Sequence, residues 1–115
     1  MVTLIGMGSG SWEALSVQAQ DAVRRAGLVF GAKRLLAGLP PECTARQFAL
    51  YQPAEILETL AQAPGQDAAV LYSGDTGFYS GASGLLTPLR ALGIPARVYP
   101  GVSSIQLLAA ALGRP

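Results

Sequence analysis

Ala69-Val70-Leu71-Tyr72-Ser73-Gly74-Asp75-Thr76-Gly77-Phe78-Tyr79-Ser80-Gly81 is the stretch on which the fold turns. A short apolar run, Ala68 to Tyr72, ends abruptly in a loop with three glycines, three serine or threonine hydroxyls, one carboxylate and two aromatics. An apolar run of this length, closed by turn residues, predicts a buried parallel strand. The loop that follows then sits at the carboxyl end of a strand, where open α/β sheets bind their ligands. It is too rich in glycine and polar groups for core, and too apolar at Phe78 and Tyr79 for a solvated turn.

Outward from that stretch, strand and helix signals alternate. Val2 to Ile5 reads as a strand closed by Gly6-Met7-Gly8-Ser9-Gly10. Leu15, Ala19, Ala22, Val23 and Ala26 recur at helical spacing, and Gly27 stops them. Leu28 to Phe30 is a second short strand, Ala32 to Leu36 a helical turn or two, and Arg46 to Leu50 a weak strand. Pro53 suits a helix start, with Ile56, Leu57 and Leu60 on the buried face, and Pro64-Gly65 ends it. Leu85, Leu86, Leu89 and Leu92 stripe a further helix up to Gly93. Pro95 to Tyr99 forms another strand, and Ile105, Leu108, Ala109 and Leu112 a last helix. The alternation predicts an α/β fold: a mostly parallel sheet flanked by helices on both faces.

A chain of 115 residues is one domain, and with half its residues hydrophobic and only 13% charged it can bury a core. So sparse a charge suggests that part of its surface is covered by something else. A net charge of +1 offers no field for nucleic acid or for an anionic membrane. One cysteine, Cys43, in a surface-like Pro-Glu-Cys-Thr segment, excludes an internal disulfide and fits a reducing, cytoplasmic setting. No apolar run reaches transmembrane length, and no basic segment of a signal peptide precedes Val2. The final Gly113-Arg114-Pro115 is helix-exit punctuation, which reads as a linker cut short or equally as a natural terminus.

Three glycine- and serine-bearing loops each follow an expected strand: Gly6 to Gly10, Ser73 to Gly81, and Tyr99-Pro100-Gly101-Val102-Ser103-Ser104. Taken singly, each has a plain structural reading: a strand-to-helix turn, Asp75 as a helix cap, and Ser103 or Ser104 as an N-cap. Three together at one sheet edge call for a ligand. A dinucleotide fingerprint needs its third glycine where this chain has Ser11, and an acid after the second strand where it has Phe30-Gly31-Ala32-Lys33. A nicotinamide-binding module is therefore disfavoured. The chain has no histidine, so imidazole catalysis and histidine metal ligation are absent. Its scattered carboxylates form no metal set, and no side chain stands out as a catalytic base. Hydroxyls, backbone amides and one carboxylate suit holding a polar ligand, and group transfer from a reactive cofactor asks for little more.

In order and spacing these loops resemble those of the tetrapyrrole methylases, which transfer methyl groups from S-adenosylmethionine to corrin and porphyrin precursors. Gly31-Ala32-Lys33-Arg34-Leu35-Leu36 and Ala110-Ala111-Leu112-Gly113-Arg114-Pro115 carry the likeness as well. Gly-Asp-Thr-Gly-Phe-Tyr-Ser-Gly, with Thr76 where many relatives have proline, looks like the branch that methylates C5 of precorrin-6Y or cobalt-precorrin-7 in cobalamin biosynthesis. The resemblance implies that residues 1–115 are the N-terminal lobe of a two-lobed enzyme, with the C-terminal lobe missing, and that the full enzyme is a homodimer. It implies S-adenosylmethionine as cofactor, flanked by Ser9, met by Ser73, Gly74 and Asp75, touched by Phe78 and closed in by Ser103 and Ser104. Gly6, Gly8 and Gly10 would face the tetrapyrrole. A fold retained as a non-catalytic binding or regulatory lobe is the alternative.

Overall fold

The computed structural model describes residues 1–7, 12–72 and 76–99, with backbone alone at 14 and 76–81. Five strands, β1 (Val2–Gly6), β2 (Leu28–Phe30), β3 (Arg46–Phe48), β4 (Ala68–Tyr72) and β5 (Ala96–Tyr99), form one sheet in the order β3-β2-β4-β1-β5. Every pairing is parallel. The helices are α1 (Val17–Arg25), α2 (Lys33–Leu36), α3 (Pro53–Ala61) and α4 (Thr76–Ala91), with a 3₁₀ turn at Trp12–Ala14.

The direction of chain travel decides which helix covers which face. From β1 to β2 and from β2 to β3 the chain moves toward one edge. From β3 to β4 and from β4 to β5 it moves toward the other. Right-handed crossovers therefore send α1 and α2 to one face and α3 and α4 to the opposite one. The two cores agree. Val2, Leu4, Leu28, Phe30, Ala68, Val70 and Tyr72 pack with Ile56 and Leu60 of α3 and with Leu85 and Leu89 of α4. The alternate residues Ile5, Val29, Ala69 and Leu71 pack with Ala19 and Val23 of α1 and with Leu35 and Leu36 of α2. Buried on both faces, β2 and β4 read as unbroken apolar runs, and β1 as one interrupted only by the buried Thr3.

Local signals account for the element ends. Ser16 caps α1, its Oγ accepting from the Ala19 N–H at 3.2 Å. Leu15, expected inside that helix, precedes it, because Trp12–Ala14 takes its own 3₁₀ turn first. Pro53 occupies the first turn of α3, where its missing N–H costs nothing. Gly93, at φ 71°, ends α4 in the left-handed region. The weak strand expected over Arg46 to Leu50 is three residues long at the sheet margin, where Phe48 stacks on Phe30 at 5.2 Å between ring centroids. Cys43 corrects the sequence reading: it is buried, packed with the core beneath α1 and α2, because Pro40 accepts its N–H and folds the Pro-Glu-Cys-Thr segment inward. The last expected helix, over 105–112, lies outside the described residues.

Candidate functional site

The sheet order places the three strands that precede the glycine- and serine-bearing segments side by side, as β4-β1-β5. Gly6 pairs with Tyr72, and Ile5 with Tyr99, so the three strands end within one residue of the same level. Neighbouring strand ends are about 4.8 Å apart. The Met7 N–H donates to the Tyr72 carbonyl at 2.7 Å and carries the β1–β4 ladder one residue past Gly6.

From these adjacent ends the chain leaves toward opposite faces, since β1 leads to α1 and β4 leads to α4. In doubly wound sheets such a divergence at the carboxyl edge is the position that takes ligands. The ends of β4, β1 and β5 share one edge of the sheet, as expected. Among the predicted site residues, Gly6 is placed at the end of β1, against β4. Phe78 falls in the first turn of α4, but its side chain lies outside the description. Gly8, Ser9, Gly10, Ser73, Gly74, Asp75, Ser103 and Ser104 lie outside the described residues.

Both flanks of the first glycine segment are held. On the near side is the β1–β4 ladder. On the far side the Gln20 side-chain amide donates to the Trp12 carbonyl at 3.0 Å, and the Arg24 guanidinium stands 5.4 Å from the Trp12 ring centroid. Arg24 in turn meets Glu42 and Asp21, each at 3.2 Å, and the hydrogen bond to Glu42 holds the guanidinium charged, above its ordinary pKa.

Tyr72, the last residue of β4 and buried in the core with α3 and α4, was read only as strand by the sequence. Burial pushes its phenol up to about 12, so near neutral pH it is an uncharged hydroxyl and no base. Its place as the last residue before Ser73 was the signal available. Lys33 and Arg34 also follow a strand end, that of β2 beside β4, and are exposed. Among the described residues no group of three or more potential ligands could hold a metal ion, and no helix is long and apolar enough to cross a membrane. A cavity of about 370 Å³ opens at the opposite, amino edge between the ends of α3 and α4, but Leu57, Leu60, Ile94 and Pro95 give it an apolar wall without convergent polar groups.

A profile of the Tetrapyrrole (Corrin/Porphyrin) Methylases matches residues 1–115. The chain belongs to this family. Among relatives of the tetrapyrrole methylase chain, the precorrin-4 C(11)-methyltransferase of Mycobacterium tuberculosis is 34% identical over 120 residues, covering 98% of this chain and 48% of its own. The cobalt-precorrin-7 C(5)-methyltransferase of Salmonella typhimurium is 33% identical over 115 residues, covering 98% and 55%. The uroporphyrin-III C-methyl transferase of Thermus thermophilus, solved in complex with S-adenyl homocysteine, superposes with a TM-score of 0.67 at 28% identity, covering 96% of this chain and 47% of that one. This tetrapyrrole methylase chain thus spans about half the length of the relatives it matches.

Proposed function

We propose that the chain is the N-terminal lobe of an S-adenosylmethionine-dependent methyltransferase of cobalamin biosynthesis, acting at C5 of precorrin-6Y or cobalt-precorrin-7. The observation that carries this reading is the side-by-side exit of β4, β1 and β5 at one level, with α1 and α4 diverging beneath it. A crevice of that form suits an extended polar ligand, and the solved relative with S-adenyl homocysteine supports the same class of occupant.

When bound, the cofactor supplies an activated methyl group on a cationic sulfonium. The residues of this chain have the simpler tasks of holding and shielding. Ser9, Ser73, Gly74, Asp75, Phe78, Ser103 and Ser104 would line the cofactor, with the Asp75 carboxylate favouring positive charge. Gly6, Gly8 and Gly10 would let the backbone come close to the macrocycle. The Tyr72 phenol, uncharged at neutral pH, does not compete for the methyl as a phenolate. A second lobe would close the crevice from the other side and exclude water, and the assembled enzyme would be a cytoplasmic homodimer.

C5 is favoured by the Gly-Asp-Thr-Gly-Phe-Tyr-Ser-Gly segment. C11 methylation is the second reading, favoured by the precorrin-4 relatives, whose identity is as high. Titration of the isotope-labelled chain with S-adenosylhomocysteine, with NAD as control, tests the cofactor. Shifts gathered at Gly6, Met7 and Tyr72, and none with NAD, are the expected result, and shifts with NAD alone would overturn the reading. Locating the transferred ¹³C-methyl in the corrinoid product of the two-lobed enzyme separates C5 from C11.

A further inference from the structure

We propose that Lys33 and Arg34 bind peripheral carboxylates of the substrate, and so form a cationic rim of the site. The inference rests on the reading above, in which the substrate is a corrin precursor, a macrocycle ringed by acetate and propionate groups.

Three observations converge. The first is position. β2 neighbours β4, and Phe30 pairs with Val70, so the residues just past Phe30 reach the level of Tyr72. Gly31 lies so close to β4 that a Cβ there would stand 3.1 Å from the Leu71 Cβ. Leu35 and Leu36 then anchor α2 in the same core as Leu71. The pair thus follows the carboxyl end of β2, and β2 itself lies one strand spacing, about 4.8 Å, from β4.

The second is the lack of any internal partner. Among the described bases, Arg24 pairs with Glu42 and Asp21, Arg25 donates to the Asp21 carbonyl, Arg46 covers the Phe48 ring, and Arg97 donates to the Tyr99 hydroxyl. Lys33, Arg34 and Arg90 have neither hydrogen bond nor ion pair from their side chains, and Arg90 sits at the far end of α4, toward the amino edge. Two of these three unpaired cations are therefore adjacent, and at the ligand edge.

The third is chemistry. Adjacent ammonium and guanidinium groups match a rim of carboxylates, Arg34 by a forked contact and Lys33 as a point charge. In a chain with only 15 charged residues in 115, placing two like charges together without a carboxylate partner among the described residues gives no structural gain.

The test is a Soret-absorbance titration of the chain with uroporphyrin I and with coproporphyrin I, which bears fewer carboxylates. The parent, the K33Q/R34Q double variant and R90Q are compared, with folding followed by circular dichroism melts. The expected result is tighter binding of uroporphyrin than of coproporphyrin, a roughly tenfold loss in K33Q/R34Q, and parental affinity in R90Q. Raising the salt concentration should weaken the parent more than the double variant. Equal affinity in parent and double variant, an equal loss in R90Q, or no porphyrin binding by the parent would overturn the proposal. If the parent takes S-adenosylhomocysteine in any of these cases, the cofactor reading stands and the rim alone falls. Failure of both ligands removes the two together.

Discussion

Gly27 and Gly31 flank β2 and look alike in sequence, yet their surroundings predict opposite responses to a methyl group. At Gly31 a Cβ would stand 3.1 Å from the Leu71 Cβ and 3.3 Å from its carbonyl oxygen, both held in the central strand. Gly31→Ala should therefore lower stability by about 1–3 kcal/mol in a urea titration, as overpacking does. At Gly27 the nearest group is the end of the Gln66 side chain, which can swing aside, so Gly27→Ala should be near neutral in the same assay. Tyr72 makes a pH prediction. Its folded-state pKa is raised from 10 to about 12 by burial, so the protonated phenol is the form that the fold favours. Its stabilising contribution is whole below about pH 10 and is lost as pH rises toward 12. Urea midpoints across pH 9 to 12 should fall less steeply in Tyr72→Phe than in the parent. Cys43, whose thiol burial and then Glu42 push upward, should react with a thiol reagent far more slowly than free cysteine, and at the free rate after unfolding.

Among the elements, α1 depends on a local device. Ser16→Ala removes the acceptor for the Ala19 N–H and should cost about 1 kcal/mol, read as a lowered urea midpoint with no change in slope. The long helix α4 carries the opposite feature, Pro88 inside it, which leaves the Gly84 carbonyl without its i+4 donor. Helix identity was legible wherever apolar spacing met a clear stop signal, as in α3 between Pro53 and Pro64-Gly65 and in α4 up to Gly93. Boundaries were less so. Leu15 has the right spacing for α1, but the core reached by Trp12 pulls the preceding residues into a 3₁₀ turn and lets the helix begin at Val17. Cys43 misled for a related reason: its polar neighbours suggest surface, while the fold beneath α1 and α2 needs a small apolar group there.

For the whole molecule, the central packing of α3 on the sheet should dominate stability. Ile56, fully buried among β-strand residues, should cost about 2–5 kcal/mol on replacement by alanine, measured as the shift in a two-state urea transition. By itself the sequence determined that strands and helices alternate, that the strands are parallel and doubly covered, and that polar, glycine-bearing segments follow three of them. Those properties are written in local periodicity and turn chemistry, each within a window of a few residues. It also carried the family likeness through the Ser73 to Gly81 segment. Only the tertiary structure decided that β1 lies between β4 and β5, because strand order is set by the direction and hand of each crossover and by which apolar faces meet. That order brings three strand ends, far apart in the chain, to one edge. It also sets the end of β2, which Lys33 and Arg34 follow, beside that of β4, a neighbourhood no local pattern encodes.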